Sequence, residues 1–316
     1  MKLSIVSFLF LLSISGLLAQ IAEPEASLRA QITDTTQGWK TGGVISVNLN
    51  QASLTNWAAG GQNSLAVNGM LSLFANYKKG NKVWENYLDL AYGQINKDND
   101  KGENTWWKTD DKIDLTSKYG QKAAENFYYA ALMNFKSQFD AGFKYPDDSN
   151  KISDFLAPAF ILGAVGMDYK PGERLSIFAA PLTSKFTLVN SQKLANAGAF
   201  GVEKAVYDDQ GNLLTEGEKL KSEFGGYLRV AYKLPIMENV TLQSKIDLFT
   251  NYSQNPENID INIETLLSMK VNKYISANLA LQFIYDDDTD IKDKDGKIGP
   301  RPQFKEVLGV GFSYKF

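Results

Sequence analysis

The feature that most constrains this chain is a period of two. Residues 63 to 77 set Leu65, Val67, Leu71, Leu73, Ala75 and Tyr77 on one side, with Asn68, Ser72 and Asn76 on the other. Alternation of this kind marks a β-strand with two unlike faces, because a helix repeats its apolar positions every three or four residues. Residues 125 to 145 alternate for longer still. Phe127, Tyr129, Ala131, Met133, Phe135, Phe139, Ala141, Phe143 and Tyr145 share one side, and Lys136, Gln138, Asp140 and Lys144 the other. Strands of soluble sheets run to about 5 or 6 residues. A strand that crosses a bilayer needs roughly 9 to 11 and can extend beyond it. The segment lengths therefore point to an all-β transmembrane antiparallel up-and-down barrel.

The same rule places strands near 41–52, 82–95, 106–118, 156–170, 173–188, 223–234, 239–252, 259–271, 275–286 and 302–316. Together these make about twelve strands, with ten or fourteen if one hairpin is miscounted, and an even number returns both ends of the barrel to the periplasmic side. Connection lengths give an independent test, since periplasmic turns are short and extracellular loops long. The brief connections are Lys79-Gly80-Asn81, the Gly120 region, Lys170-Pro171-Gly172, Pro235 to Glu238 and Asn272-Lys273-Tyr274. They alternate with mostly longer ones: Ser53 to Gln62, Asn96 to Thr105, Pro146 to Ser153, Val189 to Ser222, Ser253 to Asn258 and Asp287 to Arg301. Choosing strands by alternation did not force that parity.

The two ends carry export and assembly signals. Met1-Lys2 precedes an almost unbroken apolar run from Leu3 to Leu18, closed by Ala19-Gln20, which reads as a cleavable signal peptide over 1–20. A retained membrane anchor is the rival reading, since the run approaches the roughly 18 residues a spanning helix needs; its serines and Ala19 favour cleavage. Residues 21–38 are polar, carry Pro24 and form a short periplasmic lead-in, so the barrel occupies 39–316. The last strand puts Leu308, Val310, Phe312, Tyr314 and Phe316 on one face. A terminal aromatic strand of this type resembles the signal by which outer-membrane barrels reach their assembly machinery. Trp39, Tyr77, Trp84, Trp106, Trp107, Tyr119, Tyr252 and Tyr285 fall near strand ends, where interfacial aromatic girdles sit. The expected partners are thus outer-membrane lipid and, through Phe316, the assembly machinery.

Composition removes whole classes of chemistry. The chain has no histidine and no cysteine. A Ser-His-Asp hydrolase, a histidine base, an imidazole zinc site, a thiol nucleophile, a disulfide framework and cysteine lipidation are all excluded. A net charge of -3 argues against nucleic acid. No cofactor, metal or catalytic residue is expected.

The polar parity of the strands carries Glu85, Asp89, Asp114, Lys136, Asp140, Arg229, Lys245, Asp247, Glu264 and Lys270. A charge facing lipid near mid-membrane costs about 2 to 4 kcal/mol, so these side chains belong to the lumen. Glu85, Asp89, Lys136, Arg229, Lys245, Asp247 and Glu264 are the lumen-lining candidates. Either they form a constriction that orients a polar solute, or they pair across a narrow, filled lumen. The acidic run from Asp286 to Gly299 fails as an EF-hand, because counting from Gly296 puts Ile291 at position one and Pro302 at position twelve. Glycine pairs at Gly42-Gly43, Gly60-Gly61 and Gly225-Gly226 lack phosphate-loop context and read as bulges or turns.

The segment Leu49-Asn50-Gln51-Ala52-Ser53-Leu54-Thr55-Asn56-Trp57-Ala58-Ala59-Gly60-Gly61-Gln62-Asn63-Ser64, followed by Asn76-Tyr77-Lys78-Lys79-Gly80 and Trp84-Glu85-Asn86, resembles the DUF3078 family of Bacteroidota. The resemblance extends over most of the mature chain. It implies an outer-membrane barrel without an assigned activity and transfers no catalytic residue. The expected function is a non-enzymatic barrel, either a narrow channel for small polar solutes or a membrane scaffold. The alternative is an accessory protein that docks a partner through the loop 190–222.

Overall fold

The computed structural model describes residues 37–53, 63–98, 104–172, 174–272, 274–292 and 297–316. The expected signal peptide, most of the lead-in, the Asn56-Trp57 loop and Gly60-Gly61 lie outside the described residues. Twelve antiparallel strands close into one barrel. In chain order they are β1 (Gly38–Ala52), β2 (Ser64–Lys79), β3 (Lys82–Asp98), β4 (Asn104–Lys122), β5 (Phe127–Ser137), β8 (Ala159–Tyr169), β9 (Leu175–Leu188), β12 (Leu220–Met237), β13 (Val240–Asn251), β14 (Ile259–Lys270), β15 (Ile275–Tyr285) and β18 (Gln303–Lys315). Three two-stranded hairpins sit in the long connections: β6 (Gly142–Phe143) with β7 (Lys151–Ser153), β10 (Val206–Tyr207) with β11 (Leu213–Thr215), and β16 (Asp290–Lys292) with β17 (Ile298–Pro300). Each strand of the barrel pairs with its chain neighbour, and β1 meets β18 to close the ring.

Alternation sorts side chains to two solvents. On β1 the residues Val44, Ser46 and Asn48 are buried inside, while Ile45, Val47 and Leu49 stand exposed outside. On β18 the outward Phe304, Leu308, Val310, Phe312, Tyr314 and Phe316 are all more than half exposed. An outer face with this many exposed large apolar side chains fits hydrocarbon rather than water. Trp39 packs on Tyr77 and Trp84 with ring centroids 5.2 and 5.7 Å apart, an aromatic corner at the rim that carries the short turns.

The closing seam is short. β1 and β18 pair in register only from Val44↔Lys315 to Val47↔Phe312, extended by reciprocal 3.0 Å hydrogen bonds between Gly43 and Phe316. The glycine pair Gly42-Gly43, expected as a bulge or turn, instead leaves room for rings. A Cβ on Gly43 would lie 2.6 Å from Phe316 Cζ, and one on Gly42 2.6 Å from Phe74 Cε1.

Two departures from simple alternation matter. The long run 125–145 is not one strand, because the chain bends after Ser137. Asp140 therefore leaves the lumen parity: its carboxylate accepts the Tyr92 hydroxyl at 3.1 Å and its N–H donates to Asp111 at 2.9 Å. On β9 a bulge between Ala179 and Leu182, around Pro181, shifts the inward set from Ser176, Phe178 and Ala180 to Thr183 and Thr187. Proline has no N–H to give a ladder, so a bulge is where a mid-strand proline belongs. Lys185 thereby turns inward, two residues beyond Thr183.

The inward face is not polar throughout. Ala130, Leu132, Ala164, Phe178, Ala180, Tyr227 and Phe249 form a buried apolar cluster on the inner wall of β5, β8, β9, β12 and β13. This cluster fills one side of the lumen and leaves the remaining space narrow.

Candidate lumenal site

Charged side chains line the lumen in three tiers. At the end of the barrel that carries the short turns, Glu85 of β3 accepts Lys170 Nζ at 3.1 and 3.0 Å and lies 3.3 Å from Lys118. Lys118 reaches Asp168 at 2.6 Å, Lys170 stands 3.4 Å from the same carboxylate, and the Ser176 hydroxyl donates to it at 2.7 Å. Two ammonium groups and two carboxylates thus form a closed network. Lys170 sits in the turn after β8. Burial there pulls its ammonium pKa down, but Glu85 and Asp168 more than reverse this, so the pKa stands above the ordinary lysine value.

The middle tier gathers most of the sequence candidates. Arg229 donates to Asp247 through Nε at 2.6 Å and Nη2 at 3.0 Å, and the Tyr227 hydroxyl adds a third donor at 2.7 Å. Paired donation from a planar guanidinium fixes both partners against the wall. Lys245 of β13 meets Glu264 of β14 at 2.9 Å. Lys136 of β5 approaches the same carboxylate at 3.6 Å from across the lumen, since four strands separate β5 from β14 on one side and six on the other. Asp89 is buried beside its cross-strand neighbour Asp114, whose carboxylate lies 3.8 Å from Lys112 and 3.9 Å from Lys136.

Sequence reasoning missed the third tier. At the end that carries the long loops Lys185 meets Asp260 at 2.6 Å and Glu223 at 3.3 Å, while Lys221 meets Glu223 at 3.3 Å and Asp288 at 2.5 Å. Nearby, Lys305 of β18 spans to Asp110 of β4 at 3.2 Å. Strict parity would have left Lys185 facing lipid, and Pro181 was the signal for the flip. Lys118 and Asp168 were available from parity alone, whereas Lys170 lies in a turn where parity ends.

Between these tiers runs a cavity of about 420 Å³. It extends from Lys170, Arg174 and Lys233 at the short-turn end to Asp110 and Lys305 in the half nearer the long loops. Glu85, Lys136, Arg229, Lys245 and Glu264 line it; Asp89 and Asp247 lie behind the lining.

The segment 189–219 stretches over the long-loop mouth of the barrel, between the loop at Leu156 and the loop at Asp288. It contains helix α1 (Gln192–Asn196), a 3₁₀ turn at Ala199–Gly201 and the β10/β11 hairpin. Its own small core joins Val189, Leu194, Ala195 and Val202 to Ala157 of the preceding loop. Asn190 N–H donates to Leu156 at 2.9 Å on one flank, and Gly201, at φ +78°, lies against the Asp288 backbone on the other. The acidic segment 286–288 is engaged the same way, with Asp288 on Lys221 and Asp287 accepting Tyr285 and Asn258; residues 293–296 lie outside the described residues.

Comparison with known proteins finds one family model that is similar to part of this chain. Residues 49–143 match the model of a protein family of unknown function, DUF3078, and the resemblance carried by Leu49 to Asn86 is thereby shown. The match ends at Phe143, short of the wider extent that the resemblance implied. No curated protein matches. Among solved structures the chain is similar to an outer membrane channel from Pseudomonas putida F1, at 12% identity and TM-score 0.39, covering 90% of this chain and 97% of that one. It is similar to the NanC porin at 10% identity and TM-score 0.38, covering 86% and 98%. It is also similar to the translocator domain of the autotransporter NalP from Neisseria meningitidis, at 9% identity and TM-score 0.33, covering 90% of each.

Proposed function

We propose that this chain is a non-enzymatic barrel of the bacterial outer membrane whose lumen is a narrow conduit for small polar solutes. The carrying observation is the cavity that runs from Lys170, Arg174 and Lys233 past the middle tier to Asp110 and Lys305, between walls of paired charges. Twelve strands stand between small barrels filled by side chains and the 16 to 18 that leave a broad aqueous channel. Here the apolar cluster on one wall narrows the lumen, and Lys136–Glu264 and Lys305–Asp110 bridge what is left. Lys136 and Glu264 are each about a quarter exposed, so their bridge contributes about 1 kcal/mol or less and can open. The outward apolar belt supports a lipid environment. The exposed terminal strand, seated on Gly43 through Phe316, supports a role for that strand in recognition by the assembly machinery.

Planar-bilayer recording of the purified barrel tests the conduit. Small unitary currents are expected, rising when Glu264→Gln removes the acceptor shared by Lys136 and Lys245. Absence of current from folded protein, including after deletion of residues 190–219, overturns the reading.

A second reading rests on a different observation. The β10/β11 hairpin of the long loop exposes Val206, Tyr207, Leu213 and Leu214, an apolar edge at the outer surface. It supports docking of a protein partner there. Co-purification from native membranes that is lost on Leu214→Asp would favour it, and a solitary barrel would count against it.

A further inference from the structure

Resting on the conduit reading, we infer that the lumen selects small anions, carboxylate- or phosphate-bearing solutes among them, over cations. The chain as a whole is acidic, at -3. The cavity reverses that sign. Among the described residues that line it, nine lysines and arginines accompany four carboxylates. The acids that balance this set, Asp114, Asp168 and Asp247, lie behind it in the wall, at 2%, 1% and 9% exposure. A solute in this space therefore meets ammonium and guanidinium groups first and carboxylates second. Low-dielectric walls focus such a field, and burial keeps salt from screening it fully.

The cations are also distributed unevenly along the axis. Lys170, Arg174 and Lys233 meet at the periplasmic end, where Lys233 N–H donates to the Arg174 carbonyl at 2.8 Å and brings the two side chains to adjacent positions. Arg174 is exposed there, at the mouth of the cavity. Guanidinium presents a planar fork that matches carboxylate and phosphate oxygens. The acidic excess lies at the opposite end, in loop residues such as Asp147, Asp148, Asp208, Asp209 and Asp286. The barrel is thus basic at the periplasmic mouth and acidic at the extracellular rim, a polarity that also makes current depend on the sign of the voltage.

The test uses the full barrel in planar bilayers under a potassium chloride gradient, with heat-dependent gel mobility of each variant as the control for folding. The expected reversal potential lies on the chloride side, with a permeability ratio of roughly ten, the lower end of counter-ion enrichment in a charged cleft. The double variant Arg174→Glu with Lys233→Glu is expected to abolish that preference while conductance persists. A conducting barrel that reverses at zero or on the potassium side overturns this inference and leaves the conduit standing. A folded barrel without conductance overturns the conduit and this inference with it. A double variant that conducts with unchanged chloride preference overturns the role given to the periplasmic mouth.

Discussion

Gly163 and Gly166 lie three residues apart on β8, and the same substitution is expected to have opposite effects at the two. A Cβ on Gly163 meets nothing within 4 Å and points to the outside. Gly163→Ala should leave stability unchanged or raise it by up to about 1 kcal/mol, since glycine in a strand interior is intrinsically unfavourable. A Cβ on Gly166 would lie 2.0 Å from the Ala179 carbonyl oxygen and 2.5 Å from Ala180 Cα, backbone atoms that no side-chain rotation can move. β8 and β9 would have to part by about 1 Å beside the Pro181 bulge, weakening about two ladder hydrogen bonds at roughly 1 kcal/mol each and adding about 1 to 3 kcal/mol of overpacking. The expected loss is about 4 kcal/mol, larger if the freed groups face hydrocarbon. Urea unfolding of the barrel in lipid vesicles, followed by tryptophan emission, measures both variants against the parent. Equal midpoints for Gly163→Ala and Gly166→Ala would refute the bulge geometry, and with it the account of how Lys185 enters the lumen.

Arg229→Met leaves Asp247 buried without its bidentate partner and should destabilise by about 3 kcal/mol in the same assay; adding Asp247→Leu should recover most of that loss, and a single variant with the parent's midpoint contradicts the pairing. Deleting Phe316 removes two seam hydrogen bonds of a pairing only a few residues long, so the folded fraction after membrane assembly should fall several-fold by gel mobility; unchanged assembly would show that the seam does not need it. In the long loop, Asn212 side-chain and backbone hydrogen bonds hold the Asp208 carboxyl below the ordinary aspartate range. A depressed carboxylate stabilises the turn above the unfolded value near 3.9 and loses that contribution as pH falls through the folded pKa. Protection of the Gln210 and Asn212 amides, taken relative to the unstructured chain at the same pH, should therefore persist at neutral pH and fall only below about pH 4; a fall near pH 6 would contradict the turn.

The barrel was legible in the sequence because a membrane strand obeys two constraints at once, length and alternation, and both can be counted. Strand ends fall within four residues of their expected positions except that the run 125–145 ends as a strand at Ser137, and short connections alternate with long ones except that 99–103 is no longer than the turn 170–174. What alternation cannot register is a residue that breaks it. Pro181 flips β9 and brings Lys185 to Asp260, and the bend after Ser137 takes Asp140 to Tyr92. Pairing across the lumen was equally invisible, because Lys136 and Glu264 are 128 positions apart in sequence and meet only once the ring is closed. The inner apolar cluster was hidden for a related reason: Leu132, Phe178 and Phe249 sit at inward positions, where composition alone would assign such residues to the lipid side.

Because the chain has no native cysteine, single cysteines can report which solvent each face meets. The most direct test of the barrel in its membrane compares Val165→Cys and Leu182→Cys on the outer face with Asn134→Cys and Thr187→Cys on the inner face, each reconstituted in vesicles. Outer sites should quench with lipid-borne probes and resist water-soluble thiol reagents, while inner sites should escape lipid quenching. Lipid quenching at Asn134 and Thr187, or none at Val165 and Leu182, would contradict a membrane-spanning barrel with a polar lumen.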